Sequence, residues 1–295
     1  MRASIPSLPA LIAFETVARR QSFALAAAEL HLTASAISHQ ISHLEALLGV
    51  RLFERTTRGI ALSQPGEAYL RRVAGAIGAI GAATDDARMG VRNSLHLHTS
   101  PSLASLWLMP RLARFARTHS AVSLFMSASP THSDFTLGLV DLDIRYGLPN
   151  WPNLTVQPLF EESILPLASP AFIERHRLQE PVELLQVPLI QSTVSLVQWN
   201  DWLASRGLSQ HPERFALRFD RASLSLDAAV QGLGVALESA TMAKVHMDAD
   251  RLRPLFDPAW SLPVRAHFVV YPPRHAERPA VAQFVEWLGA EAGQS

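Results

Sequence analysis

The sequence predicts an α/β protein built as an N-terminal winged helix-turn-helix, a linker helix and a two-lobed α/β domain. Three observations predict it. The first 65 residues read as three short helices and a basic hairpin. Residues 66–90 carry a thin heptad seam. From residue 91 to 295 strand-like and helix-like runs alternate.

The helices come first. Leu8 to Arg20 carries an apolar stripe of Leu8, Leu11, Ile12, Phe14, Val17 and Ala18. Ser22 is placed to cap a second helix, where Phe23, Ala26, Ala27 and Leu30 share a face. The small pair Ala26–Ala27 suits a close helix crossing. His31 and Leu32 make a short connection to Thr33, the expected cap of a third helix running to Leu48, with Gly49 as its stop. On that helix Ile37, Ile41, Leu44 and Leu48 form one narrow stripe. Ser35, Ser38, His39 and Ser42 face the other way. Its first turn, Ala34–Ser35–Ala36, is small enough to approach another molecule closely. A short, hydrogen-bonding face fits the major groove of DNA. Taken alone, it fits an ordinary solvated surface equally well.

The hairpin follows. Leu52–Phe53 and Ile60–Ala61–Leu62 are expected as strands, with Arg55, Thr56, Thr57, Arg58 and Gly59 as the turn. Arg55 and Arg58 would meet phosphates or a minor groove. Two arginines in a hairpin can also serve solubility only. Helix, turn, helix and basic hairpin in one order are far more specific than any of them singly.

After Pro65–Gly66, Leu70, Val73, Ile77, Ile80, Thr84 and Ala87 recur at alternating intervals of three and four. Gly75, Gly78 and Gly81 each cost about 1 kcal/mol of helix stability against Ala. They make sense where another backbone comes close. Leu70, Val73, Ile77 and Ile80 are therefore the expected dimerisation seam. Packing of this helix on its own domain is the other reading.

Strands are expected at Leu95–Thr99, Val122–Ser127, Leu142–Tyr146, Thr155–Phe160, Ser163–Ala168, 187–190, Ala216–Phe219, Val235–Leu237, Leu252–Phe256 and Arg265–Val270. Helices are expected from Pro101 to His119 with a break at Pro110, at Asp134–Leu139, near 170–176 and 181–185, at Leu196–Ser205, at Leu224–Gln231 and at Arg278–Glu291. The alternation argues for parallel strands with helices on the sheet faces. The order suits lobe one at 91–162 and 267–295, and lobe two at 163–266.

The totals exclude several function classes. Net charge is zero, but residues 1–90 hold nine Arg against seven acidic residues, so the positive end is N-terminal. Lys244 is the only lysine. With no Cys there is no disulfide, thiol nucleophile or Cys-based zinc site. Twelve His invite a metal reading, yet His39 and His43 have no third ligand near, and His96 and His98, on one strand face, read as ordinary strand residues. No nucleophile elbow, P-loop or dinucleotide fingerprint occurs, and Gly232 and Gly234 precede a strand rather than a helix. An enzyme on this fold is not expected, nor any cofactor. No apolar run approaches the ~18 residues of a membrane span, so a cytoplasmic location and no membrane partner are expected.

The run FETVARRQSFALAAAELHLTASAISHQISHLEALLGVRLFERTTRGIALSQPG resembles the N-terminal domain of the LysR-type transcriptional regulators. The shared pattern is an F…V…SF..AA..L start, a short turn, then T…IS.QI..LE..LG..LF.R..R…L(S)..G. The resemblance implies DNA contacts from Thr33, Ala34, Ser35, Ala36, Ser38 and His39, with Arg55 and Arg58 in the wing. Ala34 stands where the family often has Gln; His39 stands where it often has Arg, and His there is a variation of the subgroup resembling the glycine-cleavage-system activator. Base readout would then lean on serine hydroxyls, methyl contacts and DNA shape.

The segments WLMPRLARFARTH, GLVDLDIRYG, WPNL, LDAAVQGLGVAL and FVEWL resemble the effector-binding domain of the same family, which looks like a periplasmic binding protein. The resemblance implies a ligand between the lobes, at strand ends and helix starts. The residues there are Ser100, Ser102, Tyr146, Gln191, Ser192, Thr193, Arg221 and Ser223, with Ser223 as a helix cap. Hydroxyl-capped helix starts favour a small carboxylate or similar polar metabolite. Each of these residues could equally be an ordinary cap or surface ion pair. The expected partners are double-stranded DNA, a small-molecule effector and further copies of the chain as a homodimer or tetramer, with RNA polymerase a further candidate. The effector would act by changing how the DNA-binding domains are spaced. The alternative is an effector-independent architectural DNA-binding protein with an unused cleft.

Overall fold

A computed structural model describes residues 5–56, 59–89, 93–209, 212 and 215–293. The chain divides into two compact units. One is Met1–Met89 with Thr136–Leu139, and the other is Gly90–Phe135 with Val140–Ser295.

In the first unit α1 (Leu8–Arg20) starts on Ser7, whose hydroxyl accepts from the Ala10 N–H. Its buried face is Ala10, Ala13, Phe14, Thr16 and Val17. Leu8, expected in the stripe, is 39% exposed, because it is the first residue of the helix and lies ahead of the buried face that begins at Ala10. Ser22 caps α2 (Phe23–Glu29), and Glu29 pairs with Arg19 and Arg20 of α1. Thr33 caps α3 (Ala34–Leu48) by accepting from the Ala36 N–H at 3.1 Å. Gly49 ends α3 at φ +70, a left-handed conformation that glycine adopts without a Cβ penalty.

Glu45 of α3 fixes the start of the wing. Its carboxylate accepts from the Leu52 N–H at 2.7 Å and the Phe53 N–H at 3.3 Å. The Phe53 ring then packs on Phe14 and Phe23. Strands β1 (Phe53–Thr56) and β2 (Gly59–Leu62) pair antiparallel, with Arg55 opposite Ile60 and Thr56 opposite Gly59. Arg55, Thr56 and Gly59 are thus strand residues rather than turn residues, because the ladder extends two pairs beyond the apolar positions. Thr57 and Arg58 lie outside the described residues.

Helix α4 spans Gln64–Met89, two residues earlier than the 66–90 expected. Pro65 is tolerated in its first turn, where no intrahelical donor is needed. At Gly66 a Cβ would stand 2.1 Å from the Leu52 carbonyl oxygen, so only glycine lets α4 approach the residue that leads into β1 this closely.

The second unit contains β3 (Ser94–Thr99), α5 (Pro101–Leu103), a π-helical turn (Ala104–Leu108), α6 (Met109–Thr118), β4 (Ser123–Ala128) and β5 (Leu142–Tyr146). Next come β6 (Thr155–Ala168), α7 (Pro170–His176), β7 (Leu189–Ser192), α8 (Trp199–Ser205), β8 (Leu217–Phe219) and α9 (Ala222–Val230). The chain finishes with β9 (Val235–Ser239), α10 (Ala240–Asp248), β10 (Arg253–Pro254), β11 (Leu262–Tyr271) and α11 (Pro279–Ala292). Among the described residues these strands form one sheet in the order β4-β3-β5-β11-β6-β9-β7-β8, with β10 on β6. The outer strands run parallel in each half, while β6 and β11 pair antiparallel through the middle. Their register shifts between Val264 and His267, so the two halves of the sheet meet at an irregularity.

Several expectations change. Residues 155–168 are one strand, not two, because Glu161 and Glu162 stay in extended backbone and Glu162 pairs across to β11. Pro110 does not break its helix. The wider π turn just before it absorbs the missing N–H and the ring's bulk. The segment 134–139 makes only a 3-10 turn, Phe135–Leu137, and 181–185 likewise coils as 3-10 at Pro181–Gln186. The strand expected at 252–256 shortens to Arg253–Pro254, and α8 starts at Trp199 rather than residue 196. Helix α10 had no counterpart in the sequence reading, although Ser239 caps it by accepting from the Met242 N–H.

Candidate functional site

The first candidate surface is on α3. Ile37, Ile41 and Leu44 are buried, and Leu48 is half-buried. Thr33, Ala34, Ser35, Ser38, His39 and Ser42 are exposed, and Ala36 is half-buried. The residues expected to meet DNA thus lie on or beside the free face of one capped helix. Arg55 occupies β1 of the wing, and Arg58 falls outside the described residues. On α4, Leu70, Val73 and Ile77 are half-buried and Ile80 is 49% exposed. A Cβ at Gly78 would come 3.1 Å from the Leu139 side chain, and one at Gly81 would meet open space. Neither glycine receives a backbone from within the first unit.

The second candidate site is a cavity of about 300 Å³ in the second unit, where the two halves of the sheet meet. Ser100, Ser102, Tyr146, Ser192 and Arg221 line it, as expected. Gln191, Thr193 and Ser223 do not line it. Gln191 is buried, and its amide donates to the Ser192 carbonyl and to Gln198. Thr193 donates to the Phe219 carbonyl at 3.1 Å. Ser223 is not a cap. Helix α9 starts two residues earlier with Arg221 at the cap position, so Ser223 sits in the first turn. Its N–H donates to Ser102 Oγ at 3.1 Å.

That bond links α5, after β3, to α9, after β8, across the cleft. A second link is the Tyr146 hydroxyl, which accepts from the Leu196 N–H at 3.0 Å. Burial pushes the Tyr146 phenol up to about 12, so it stays protonated and can also donate. Ser100 Oγ accepts from the Leu103 N–H. Arg221 pairs with its neighbour Asp220 at 2.9 Å. Ser100, Ser102, Ser223 and Arg221, expected to hold an anion, therefore already have partners, whereas the Ser192 hydroxyl is buried with none.

Sequence reasoning missed the charged interior. His98 Nδ1 lies 3.1 Å from Asp143 Oδ1, and its Nε2 lies 3.1 Å from Ser129 Oγ. Asp143 also accepts from Ser133 N–H and Oγ–H and from Arg145 Nε. Burial alone would raise this carboxyl, but the bonds from His98 and Ser133 hold it below the usual range. His267 Nδ1 lies 3.0 Å from Glu162 Oε2, both residues being buried. Glu238 is 4% exposed, and its Oε1 has no hydrogen-bond partner. Burial pushes its pKa up to about 8; the Ser225 hydroxyl pulls against this and the charge of Glu162 adds to it. The available signal was an acid inside an apolar strand, in LDIRY, FEESILPLA and VALES. Such a residue is costly unless something answers it.

Comparison with known proteins follows the same division. Residues 8–67 match the family "Bacterial regulatory helix-turn-helix protein, lysR family". Residues 88–293 match "LysR substrate binding domain". The chain is 39% identical to the HTH-type transcriptional regulator PerR of Escherichia coli, over 94% of this chain and 93% of that protein. It is 32% identical to the glycine cleavage system transcriptional activator of Escherichia coli, over 99% of this chain and 96% of that protein. The crystal structure of CbnR, a LysR family transcriptional regulator, superposes with a TM-score of 0.74 at 18% identity, covering 97% of this chain and 99% of that one, a likeness of fold. Two domains matched in order, in relatives that are regulators and not enzymes, place this chain in the LysR family of bacterial DNA-binding transcriptional regulators.

Proposed function

We propose that this regulator reads DNA with α3 and the wing, and senses a small polar or carboxylate metabolite in its cleft. In this reading residues 1–65 form the DNA-binding domain, 66–90 the linker and 91–295 the sensor, with lobes at 91–162 plus 267–295 and at 163–266. The bases meet Thr33, Ala34, Ser35, Ala36, Ser38 and His39, and the phosphates meet Arg55 and Arg58. Leu70, Val73, Ile77 and Ile80 form the seam between two copies, and such a dimer reads a two-fold site. The protein works in the cytoplasm, where operator DNA and metabolites are both present.

The observation that carries the sensor reading is the cavity itself. It is ligand-sized, lined from both halves of the sheet, and crossed by Ser102–Ser223 and Tyr146–Leu196 hydrogen bonds that closure or opening must make or break. A ligand shifts such an equilibrium only by its differential affinity for the two arrangements. The test is a thermal-shift screen of metabolites on the full chain, followed by DNA footprinting with each compound that binds. A compound that raises the melting temperature and changes the footprint supports the reading. A cleft that takes none of them, with an invariant footprint, refutes it. For the wing, an Arg55→Ala, Arg58→Ala variant should bind DNA more weakly and with a shallower salt dependence, by about one to two in log–log slope. An unchanged slope rejects the phosphate contacts.

A further inference from the structure

The cavity wall carries more acid than its own bases answer. Four acidic residues line it: Asp143, Glu162, Asp220 and Glu238. Asp143 is answered by Arg145 and His98, and Asp220 by Arg221. Glu162 is answered by the His267 ring. Glu238, on β9, is the exception. It is buried and lines the cavity, and its Oε1 receives no hydrogen bond. The hydroxyls of Ser192 and Ser225 stand close enough to draw its pKa down, but neither makes a hydrogen bond of good geometry to it or to any other described group. A buried acceptor left open costs free energy that a native fold recovers only when something donates to it.

We infer that the cleft's effector carries a protonated amine, seated on Glu238 with Glu162 beside it. This rests on the sensor reading above and names the chemistry of its ligand. An ammonium group brings three N–H donors and one positive charge. Glu238 Oε1 offers an open acceptor, and the charge of Glu162 acts at the same spot. The neighbouring arginines are already paired with Asp143 and Asp220, so among the described residues that line the cavity no free guanidinium competes for the two glutamates. The opposite arrangement, a ligand carboxylate at this spot, would meet Glu162 and a second acid with the nearest cations occupied. The cavity's 300 Å³ holds on the order of ten non-hydrogen atoms at roughly 30 Å³ each, the size of an amino acid or a small amine.

The test uses the full chain and the Glu238→Gln variant, which keeps the shape and removes the carboxyl that a bound ammonium group would draw into its ionised form. The fragment probe is methylammonium chloride, measured by thermal shift against equal sodium chloride, with sodium propionate as the anionic control. The expected result is stabilisation of the wild type by methylammonium, absent in the variant, and no response to propionate. A second series compares amino acids with their des-amino acids by calorimetry. Amine-bearing members should bind at least about tenfold more tightly than des-amino partners, a difference lost in Glu238→Gln. Equal response of the variant, no methylammonium effect, or preference for propionate overturns the inference. Should an anionic metabolite bind the cleft and alter the DNA footprint while methylammonium does nothing, the sensor reading survives and this inference does not. Should nothing bind, both fail.

Discussion

Replacing Glu238 by Gln should flatten the dependence of stability on pH. In the unfolded chain the carboxyl ionises near its ordinary value of 4.5, while in the fold burial moves it to about 8. Between those values the folded protein holds a proton that the unfolded chain has released. Raising the pH therefore destabilises the wild type by about 1.4 kcal/mol per pH unit. The contribution is fully present below pH 4.5 and is lost by pH 8, for a total of about 5 kcal/mol. Gln carries no proton to lose. The variant should gain on the wild type with that slope from pH 5 to pH 8 and level off above it. Asp141, Asp143 and Glu291, held low, lose stability only in more acid solution, and His246, held low by burial, acts with the opposite sign. Both proteins share those groups, so the difference between them isolates Glu238. The assay is urea unfolding at several pH values followed by tryptophan fluorescence. All six tryptophans lie between Trp107 and Trp287, so the signal reports the sensor unit alone. A difference that stays constant from pH 5 to pH 8 would show that Glu238 is ionised in the fold, and would refute the reasoning.

Other predictions follow from single contacts. Gly66→Ala places a methyl 2.1 Å from the Leu52 carbonyl and should destabilise the N-terminal unit by about 1–3 kcal/mol; circular dichroism melting unchanged from wild type would contradict the close approach. Trp202→Ala removes a fully buried ring and its hydrogen bond to the Trp260 carbonyl, so urea unfolding should show a loss of about 3–5 kcal/mol. An Ile77→Asp, Ile80→Asp variant should lower the oligomer's mass in sedimentation equilibrium at matched concentration. Equal masses would remove the seam from the interface.

The two parts of the chain were legible to different degrees. In the N-terminal unit the signals are local. Thr33 and Ser22 cap the helices they precede, Gly49 stops one, and the Ile37–Ile41–Leu44 stripe is buried. Side-chain spacing along a helix is set by the backbone's own period, so the sequence alone determined which face of α3 is free. It also carried the alternation of strands and helices, and the family resemblance that the domain matches bear out. It could not place Arg55 in a ladder or Leu8 outside the core, because both depend on how far neighbours extend.

The cleft was decided by tertiary structure. Serines read as anion-binding caps turned out to bond one another, Ser102 with Ser223 across 121 residues. The hydrogen-bonded pairs His98–Asp143 and Glu162–His267 join residues 45 and 105 apart. Glu238 is left open only because the strands beside it, β6 and β7, bring no base to its carboxyl. A local pattern can say that an acid lies in a strand. Whether that acid is answered depends on which strands become neighbours and in what register. Hydrogen bonding between distant segments settles that, and with it what the cleft can hold.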